Sequence, residues 1–197
     1  MSNIVDPLVE RIAARVRAER ERRGWTLTQL AEASGVSRAM INRIERGDSS
    51  PTAVVLGKLS AAFRLSVSSL LALAEGETRP AAGGPGGVRR HEDAAEWRDP
   101  GTGYRRRQIT GPGFPAETAE IRLPAGARVA YPAASFAFAR QVVWVLEGRL
   151  TFHEGEAVHA LGPGDTVELG EPAPCTFAND GDAECRYVVI RAQADRP

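Results

Sequence analysis

Apolar residues recur at helical spacing through the first third of the chain and at strand spacing through its last half. From Pro7 to Arg23, Leu8, Ile12 and Val16 share one side of a 3.6-residue turn with charge between them, which predicts a first helix. Leu27, Leu30 and Ala31 give a shorter second helix one apolar face, and Thr26 with Gln29 forms an S/T-x-x-Q capping box at its start. Ser34-Gly35-Val36 predicts the break, because glycine accepts the left-handed backbone that ends a helix. Ser37 caps a third helix in which Met40, Ile41 and Ile44 face inward, leaving Arg38, Ala39, Asn42 and Arg43 outside. Thr52 to Phe63 predicts an amphipathic fourth helix, and Ser66 to Leu73 a short fifth.

The pattern then changes. Glu75 to Val88 (EGETRPAAGGPGGV) is rich in Gly, Pro and Ala and reads as a flexible or extended linker. Arg89 to Arg98 is charged and reads as an arm or a first edge strand. Downstream, β-branched and aromatic runs alternate with Gly, Pro and Asp. Strands are predicted at Tyr104–Thr110, Thr118–Leu123, Val129–Tyr131, Gln141–Leu146, Leu150–His153, Val158–Leu161, Thr166–Leu169, Cys175–Asn179 and Cys185–Ala192. Short strands at this spacing without intervening helices imply an antiparallel sandwich or barrel. The expected organisation is a helical domain over 1–75, a linker over 76–90 and an all-β domain over 91–197.

Charge sharpens that division. The chain of 197 residues has no formal net charge, yet residues 1–75 hold 11 Lys/Arg against 8 Asp/Glu, so the excess positive charge lies in the helical part. A positive half joined to a negative half suits nucleic-acid contact through one domain only. No segment approaches the roughly 20 apolar residues of a membrane span, and Asp6 and Glu10 sit where a secretory signal would be apolar. With two cysteines and no export signal, a reduced, cytoplasmic protein is expected.

The run QLAEASGVS (Gln29 to Ser37), followed by INRIERG (Ile41 to Gly47) and Pro51-Thr52, resembles the phage-repressor (Cro/C1-type, or XRE) helix-turn-helix domain. The resemblance covers about the first 75 residues and implies a lambda-repressor-like five-helix bundle whose third helix enters the DNA major groove. Arg38 and Arg43 carry the side chain best suited to grip guanine O6 and N7, and Asn42 suits adenine or a phosphate. Ala39 suits a thymine methyl. Gln29 matches the family position that clamps a phosphate, with Ser37 and Arg46 as further phosphate candidates. Glu45 is expected to brace the helix.

The second half carries a weaker likeness. VVWVLEGRLT (Val142 to Thr151) reads as a strand, a Glu-Gly turn and a returning strand. LGPGDTVELGEPAPCTFAN (Leu161 to Asn179) reads as a Pro-Gly-Asp turn, a strand, a proline corner and a second strand. Together they resemble the two motifs of the cupin superfamily, a small jelly-roll barrel. Metal-binding cupins supply histidines and a glutamate to a divalent ion. Here the glutamate position, seven residues before Gly148, is Gln141; the window 132–138 has no histidine; and the later histidine position is Cys175. His91, His153 and His159 lie near the linker or flank a hairpin loop, where solvated histidines are common. The resemblance extends to mononuclear iron oxygenases and epoxidases with this domain pairing, which use two histidines and a carboxylate. With those replaced, neither a metal cofactor nor an enzyme is expected.

If Gln141 points inward, strand alternation carries Val143 and Val145 with it, and Cys175 carries Phe177. Leu150 and Phe152 join them. The barrel is therefore expected to enclose an apolar pocket for a small-molecule effector, with Gln141, Cys175, Tyr131 or Arg140 as polar contacts, Phe152 and Phe177 around it, and Phe136 and Phe138 as a lid or as packing. The alternative for each is a packed core. Cys175 and Cys185 are expected on neighbouring strands joined by the Asp180-Gly181 hairpin turn, with their sulfurs on opposite faces. The whole reads as a regulator that binds double-stranded operator DNA as a homodimer, with a metal-free barrel sensing an effector. The alternatives are a cupin enzyme carrying a helix-turn-helix domain, and a regulator whose barrel only dimerises.

Overall fold

The computed structural model describes residues 7–76, 87–88, 90–94, 96–111, 114–137 and 139–193. Most of the expected linker, Phe138 and both ends of the chain lie outside the described residues. Five helices come first: α1 (Pro7–Arg22), α2 (Leu27–Ser34), α3 (Arg38–Glu45), α4 (Ala53–Ala62) and α5 (Val67–Gly76). Their boundaries are set by caps. Gln29 N donates to Thr26 Oγ1 at 3.2 Å while Thr26 N donates to Gln29 Oε1 at 2.8 Å, completing the capping box. Gly35 closes α2 in the left-handed region, and Ser37 caps α3 by accepting from Met40 N at 3.2 Å. Thr52 caps α4 in the same way, accepting from Val55 N. Ile12, Val16, Leu30, Ile41, Ile44, Leu56 and Leu70 meet in the centre of the bundle, none more than 1% exposed.

The fourth helix departs from the expected amphipathic pattern. Leu56 and Leu59 are buried in the bundle, and Gly57 and Ser60 are buried too. Helix α4 is covered on two sides, because the second half of the chain packs against it.

The described residues of that half form ten strands: β1 (Glu96–Arg98), β2 (Arg105–Gln108), β3 (Ala116–Leu123), β4 (Arg128–Tyr131), β5 (Ala139–Glu147), β6 (Leu150–Glu154), β7 (Ala157–Leu161), β8 (Thr166–Glu168), β9 (Cys175–Ala178) and β10 (Cys185–Gln193). A six-stranded sheet runs β1-β2-β3-β10-β5-β8 and faces a four-stranded sheet, β4-β9-β6-β7. Strands β3 to β10 pass between the sheets in the order of a jelly roll, with β1 and β2 added at one edge. Alternation puts Val143, Val145, Leu150, Phe152, Cys175 and Phe177 in the barrel interior. No single helix among the described residues is long and apolar enough to cross a membrane.

Two tight connections are not the hairpins the sequence suggests. Strands β5 and β6 belong to opposite sheets, so the Glu-Gly turn at Gly148 is a corner of the barrel. A Cβ there would lie 2.7 Å from the Glu184 carbonyl oxygen, and φ is +77°, so both space and backbone demand glycine. Strands β9 and β10 likewise do not pair, so Asp180-Gly181 joins the two sheets and no hairpin. The buried Asn179 explains this: its Nδ2 donates to the carbonyls of Leu123 at 2.9 Å and Ala183 at 2.8 Å, and its Oδ1 accepts from Gly181 N. The side chain satisfies a backbone that crosses the core without ladder partners.

The helices and the barrel meet over a polar and an apolar seam. Asp99 Oδ1 accepts from Ala53 N at 2.9 Å, reaching from the barrel to the start of α4. Glu117 on β3 accepts from the hydroxyls of Ser66 and Ser69 at the start of α5. Arg106 on β2 donates to Ser68 Oγ. Gly57 lets α4 press against the Tyr131 ring: an added Cβ would sit 2.5 Å from Cδ1 of that ring.

Candidate nucleic-acid interface and the cavity between helices and barrel

Helix α3 presents a continuous polar surface. Arg38, Ala39, Asn42 and Arg43 are all exposed, while Ile41 and Ile44 are buried beneath them. Gln29, Ser37 and Arg46, the phosphate candidates, are exposed around it. Two of these have committed acceptors: Gln29 Oε1 holds Thr26 N, leaving the amide NH2 to donate outward, and Ser37 Oγ holds Met40 N. Arg46 pairs with Asp48 at 3.1 Å, which offsets part of its charge. Arg38 and Arg43 have no such partner among the described residues, so their guanidinium forks face solvent.

The orientation of α3 is fixed from behind. Arg20 on α1 donates through Nε and Nη2 to both oxygens of Glu45, at 2.7 and 2.8 Å, and through Nη1 to the Trp25 carbonyl at 2.9 Å. This paired, planar contact is largely shielded from water. Glu45 braces the helix, as its position suggests. Glu19 plays a related role within α1, where burial opposes its charge but hydrogen bonds from Arg23 and Arg22 hold its carboxyl below the usual range.

The second site lies between the α4–α5 turn and the open end of the barrel. A cavity of ≈ 50 Å3 is lined there by Ser60 and Leu65–Ser68 of the helical region. From the barrel it is lined by Tyr104, Arg106, Tyr131, Ser135, Phe136, Gln141, Phe177, Tyr187, Val189 and Arg191. Phe177 and Tyr187 stack in parallel with ring centres 5.7 Å apart, and Tyr131 meets Phe136 and Phe177 edge-on. Burial pushes the Tyr131 and Tyr187 phenols well above their ordinary range, so both remain neutral donors.

Of the candidate pocket residues, Gln141, Tyr131, Phe136 and Phe177 come together on this cavity. Cys175 and Phe152 do not line it. Both are buried in the barrel interior, where Phe152 packs between Phe177 and His159. They are core. Arg140, an alternative polar contact, is exposed and pairs with Glu168.

Sequence reading missed Tyr104, Arg106, Tyr187 and Arg191, and also the serines of the helices. A signal was present. Tyr104, Arg106 and Gln108 share one phase of β2 and its approach, and Tyr187, Val189 and Arg191 share one phase of β10. An arginine in phase with buried neighbours is an inward arginine.

Cys175 and Cys185 are buried, free thiols on strands of different sheets. Burial pushes them up to about 12 and about 11, so neither forms an appreciable thiolate at neutral pH. His153 is half-buried, its Nε2 3.0 Å from an Arg128 nitrogen. His159 is less solvated than a loop position suggests: its ring stacks on Phe152 and its Nε2 is sealed from water. Among the described residues no three His, Cys, Asp or Glu side chains converge.

Comparison with known proteins accords with both halves. Residues 16–70 match the model of the HTH_3 helix-turn-helix family. The chain is 46% identical over 52 residues to the HTH-type transcriptional regulator SutR of Escherichia coli, which is 26% of this chain and 29% of that protein. It is 41% identical over 64 residues to the competence pilus inhibition repressor of Acinetobacter baylyi, 32% of this chain and 58% of that protein. It thus spans under a third of one of these curated relatives and somewhat over half of the other. Over nearly its whole length the fold matches the crystal structure of an HTH_3 family transcriptional regulator from Vibrio cholerae, with a TM-score of 0.75 at 22% identity, covering 96% of this chain and 99% of that one. This protein therefore joins a helix-turn-helix domain to an all-β jelly roll. The helix-turn-helix is of the HTH_3 type.

Proposed function

We propose that this protein is a sequence-specific, DNA-binding transcriptional regulator of the cytoplasm. It acts as a homodimer, with residues 1–75 as the DNA-binding domain and 91–197 as an effector-sensing domain joined by the segment 76–90. The observation that carries this reading is the exposed Arg38 and Arg43, unpaired among the described residues, on a short helix clamped from behind by Arg20 and Glu45. The two curated relatives are named as a transcriptional regulator and a repressor. One such helix reaches only a few base pairs, so a dimer on two half-sites about one helical turn apart accounts for useful affinity.

The barrel supports the sensing role more than an enzymatic one. The positions where the cupin resemblance calls for metal ligands hold Gln141, an uncharged amide, and Cys175, a buried and protonated thiol. A cavity touching both the barrel and the helices is a site from which a bound molecule can bias DNA affinity, provided it fits one arrangement better than another.

DNA selection with the purified protein, followed by anisotropy titration on the selected sequence, tests the reading. A near-palindromic site is expected. Arg43→Ala should relax preference at one position and cost about 1–3 kcal/mol, whereas Gln29→Ala should weaken all sequences alike. Full operator affinity in both variants, or no enrichment at moderate salt, would refute it.

A further inference from the structure

The cavity holds more positive charge than the protein around it answers. Arg106 donates Nη1 to the Tyr104 hydroxyl at 3.1 Å and Nη2 to Ser68 Oγ, both neutral acceptors. Its Nε is sealed from solvent and has no hydrogen-bond partner. Among the described residues, Arg106 has no carboxylate partner. Arg191, on the inward phase of β10, makes no hydrogen bond or ion pair among the described residues. Glu117 stands opposite it across the β3–β10 ladder and its charge favours that of Arg191, but the Glu117 oxygens are turned to the hydroxyls of Ser66 and Ser69. Arg106 and Arg191 are also close enough to repel one another. Two guanidinium groups gathered in a partly desolvated space with one nearby carboxylate, Glu117 beside Arg191, leave a positive charge there unanswered among the described residues, which is costly unless an anion joins them.

Two further polar atoms on the same cavity are not fully satisfied. Ser60 Oγ is buried without a partner. The Tyr131 hydroxyl lies beside that of Tyr104 and has no other partner among the described residues. Between these donors the walls are apolar: Leu65, Phe136, Phe177 and Val189. At ≈ 50 Å3 the space holds about three to five water-sized groups, taking about 10–15 Å3 for each.

From this we infer that the cavity binds a small aliphatic carboxylate, its head held by Arg106 and Arg191 and its short tail against Phe136, Phe177 and Val189. Planar guanidinium groups match a carboxylate through paired hydrogen bonds, and the apolar walls favour a hydrocarbon tail over a bare inorganic anion. Tyr131 and Ser60 supply the remaining hydrogen bonds. The ligand touches the α4–α5 turn and the barrel at once. The inference rests on the regulatory reading for its consequence, but not for the binding itself.

Thermal unfolding and calorimetric titration of the full chain test it, with acetate, propionate and pyruvate as probes at ionic strength matched with sodium chloride. Acetamide, propionamide and inorganic phosphate are the comparison ligands. Saturable stabilisation by carboxylates, but not by the isosteric amides, is expected. Arg191→Met should weaken binding about ten-fold or more, the loss expected for one charge-assisted hydrogen bond, and Arg191→Lys should recover part of it. Arg191 is the informative position, because Arg106 also ties the barrel to Ser68. Equal protection by amides, stronger protection by phosphate, no protection by any carboxylate, or unchanged binding in Arg191→Met would each overturn the site. A separate titration reads the consequence: propionate should shift operator affinity about five-fold or more. Carboxylate binding in a protein that selects no DNA would refute the regulatory reading alone. Operator binding without carboxylate protection would refute the anion site alone.

Discussion

The surface of α3 and the cavity behind α4 are built in opposite ways. The first is one contiguous stretch, Ser37 to Arg46, whose side chains are sorted by helical periodicity into a buried and an exposed set. The second gathers residues from Ser60 to Arg191, and no two of its charged groups are neighbours in sequence. The surface exposes arginines to water at little cost, whereas the cavity holds them out of water and leaves donors unmet. A local site needs only its own helix and a brace. An assembled site needs the whole fold, and it registers any change in how the parts sit together.

That contrast can be broken at the brace. Glu45→Ala leaves the shielded Arg20 guanidinium with only its longer contact to Glu21 at 3.4 Å, and loss of about 1–3 kcal/mol of stability is expected, with weaker DNA binding because α3 loses its support. Denaturant unfolding and operator titration of the same variant check both halves of that expectation. Gly57→Ala attacks the assembled site instead. The added methyl must displace the Tyr131 ring, so a destabilisation of about 1–3 kcal/mol is expected despite alanine's better helix propensity. Carboxylate binding should weaken in this variant while the α3 surface keeps its base preference.

Acid should act on both regions. Burial opposes the charge of Glu19, Glu120 and Glu184, yet hydrogen bonds from Arg23, Arg107 and Arg105 respectively hold each carboxyl below its ordinary value. A lowered folded value means stability that is present above the unfolded value near 4.3 and is lost as pH falls through the folded one. Unfolding midpoints should therefore be flat near neutrality and fall below about pH 4. The smallest effect concerns the thiols. Native Cys175 and Cys185 should resist alkylation at pH 7.5 and react only in denaturant, and fast labelling of either would show that the barrel opens.

The contrast also explains what could be read in advance. Capping by Thr26 and Ser37, the break at Gly35 and the outward set on α3 depend on residues a few positions apart, and the sequence suffices for them. Each of the nine expected strands is present within a few residues of its expected limits, because alternation is likewise local. Which sheet a strand joins is not local. Gly148 and Asp180-Gly181 look like hairpin turns, but they are corners between sheets, and only the buried Asn179 and the crowding at Gly148 distinguish them. The run Arg105-Arg106-Arg107 takes its phase from Tyr104 and Gln108, both buried, which turn Arg106 inward. Helix α4 hides its second covered face for the same reason: a glycine and a serine announce no partner until a ring lies against them.

Tyr131 belongs to two neighbourhoods at once. One edge of its ring bears on the bare backbone of Gly57, and its hydroxyl ends among the unmet donors of the cavity. A guest that drew the phenol inward would tug the ring away from its bearing, and one that crowded it would drive the ring into the helix. On the proposed reading, lodging a molecule there would press on the helical half directly, through a single six-membered wheel.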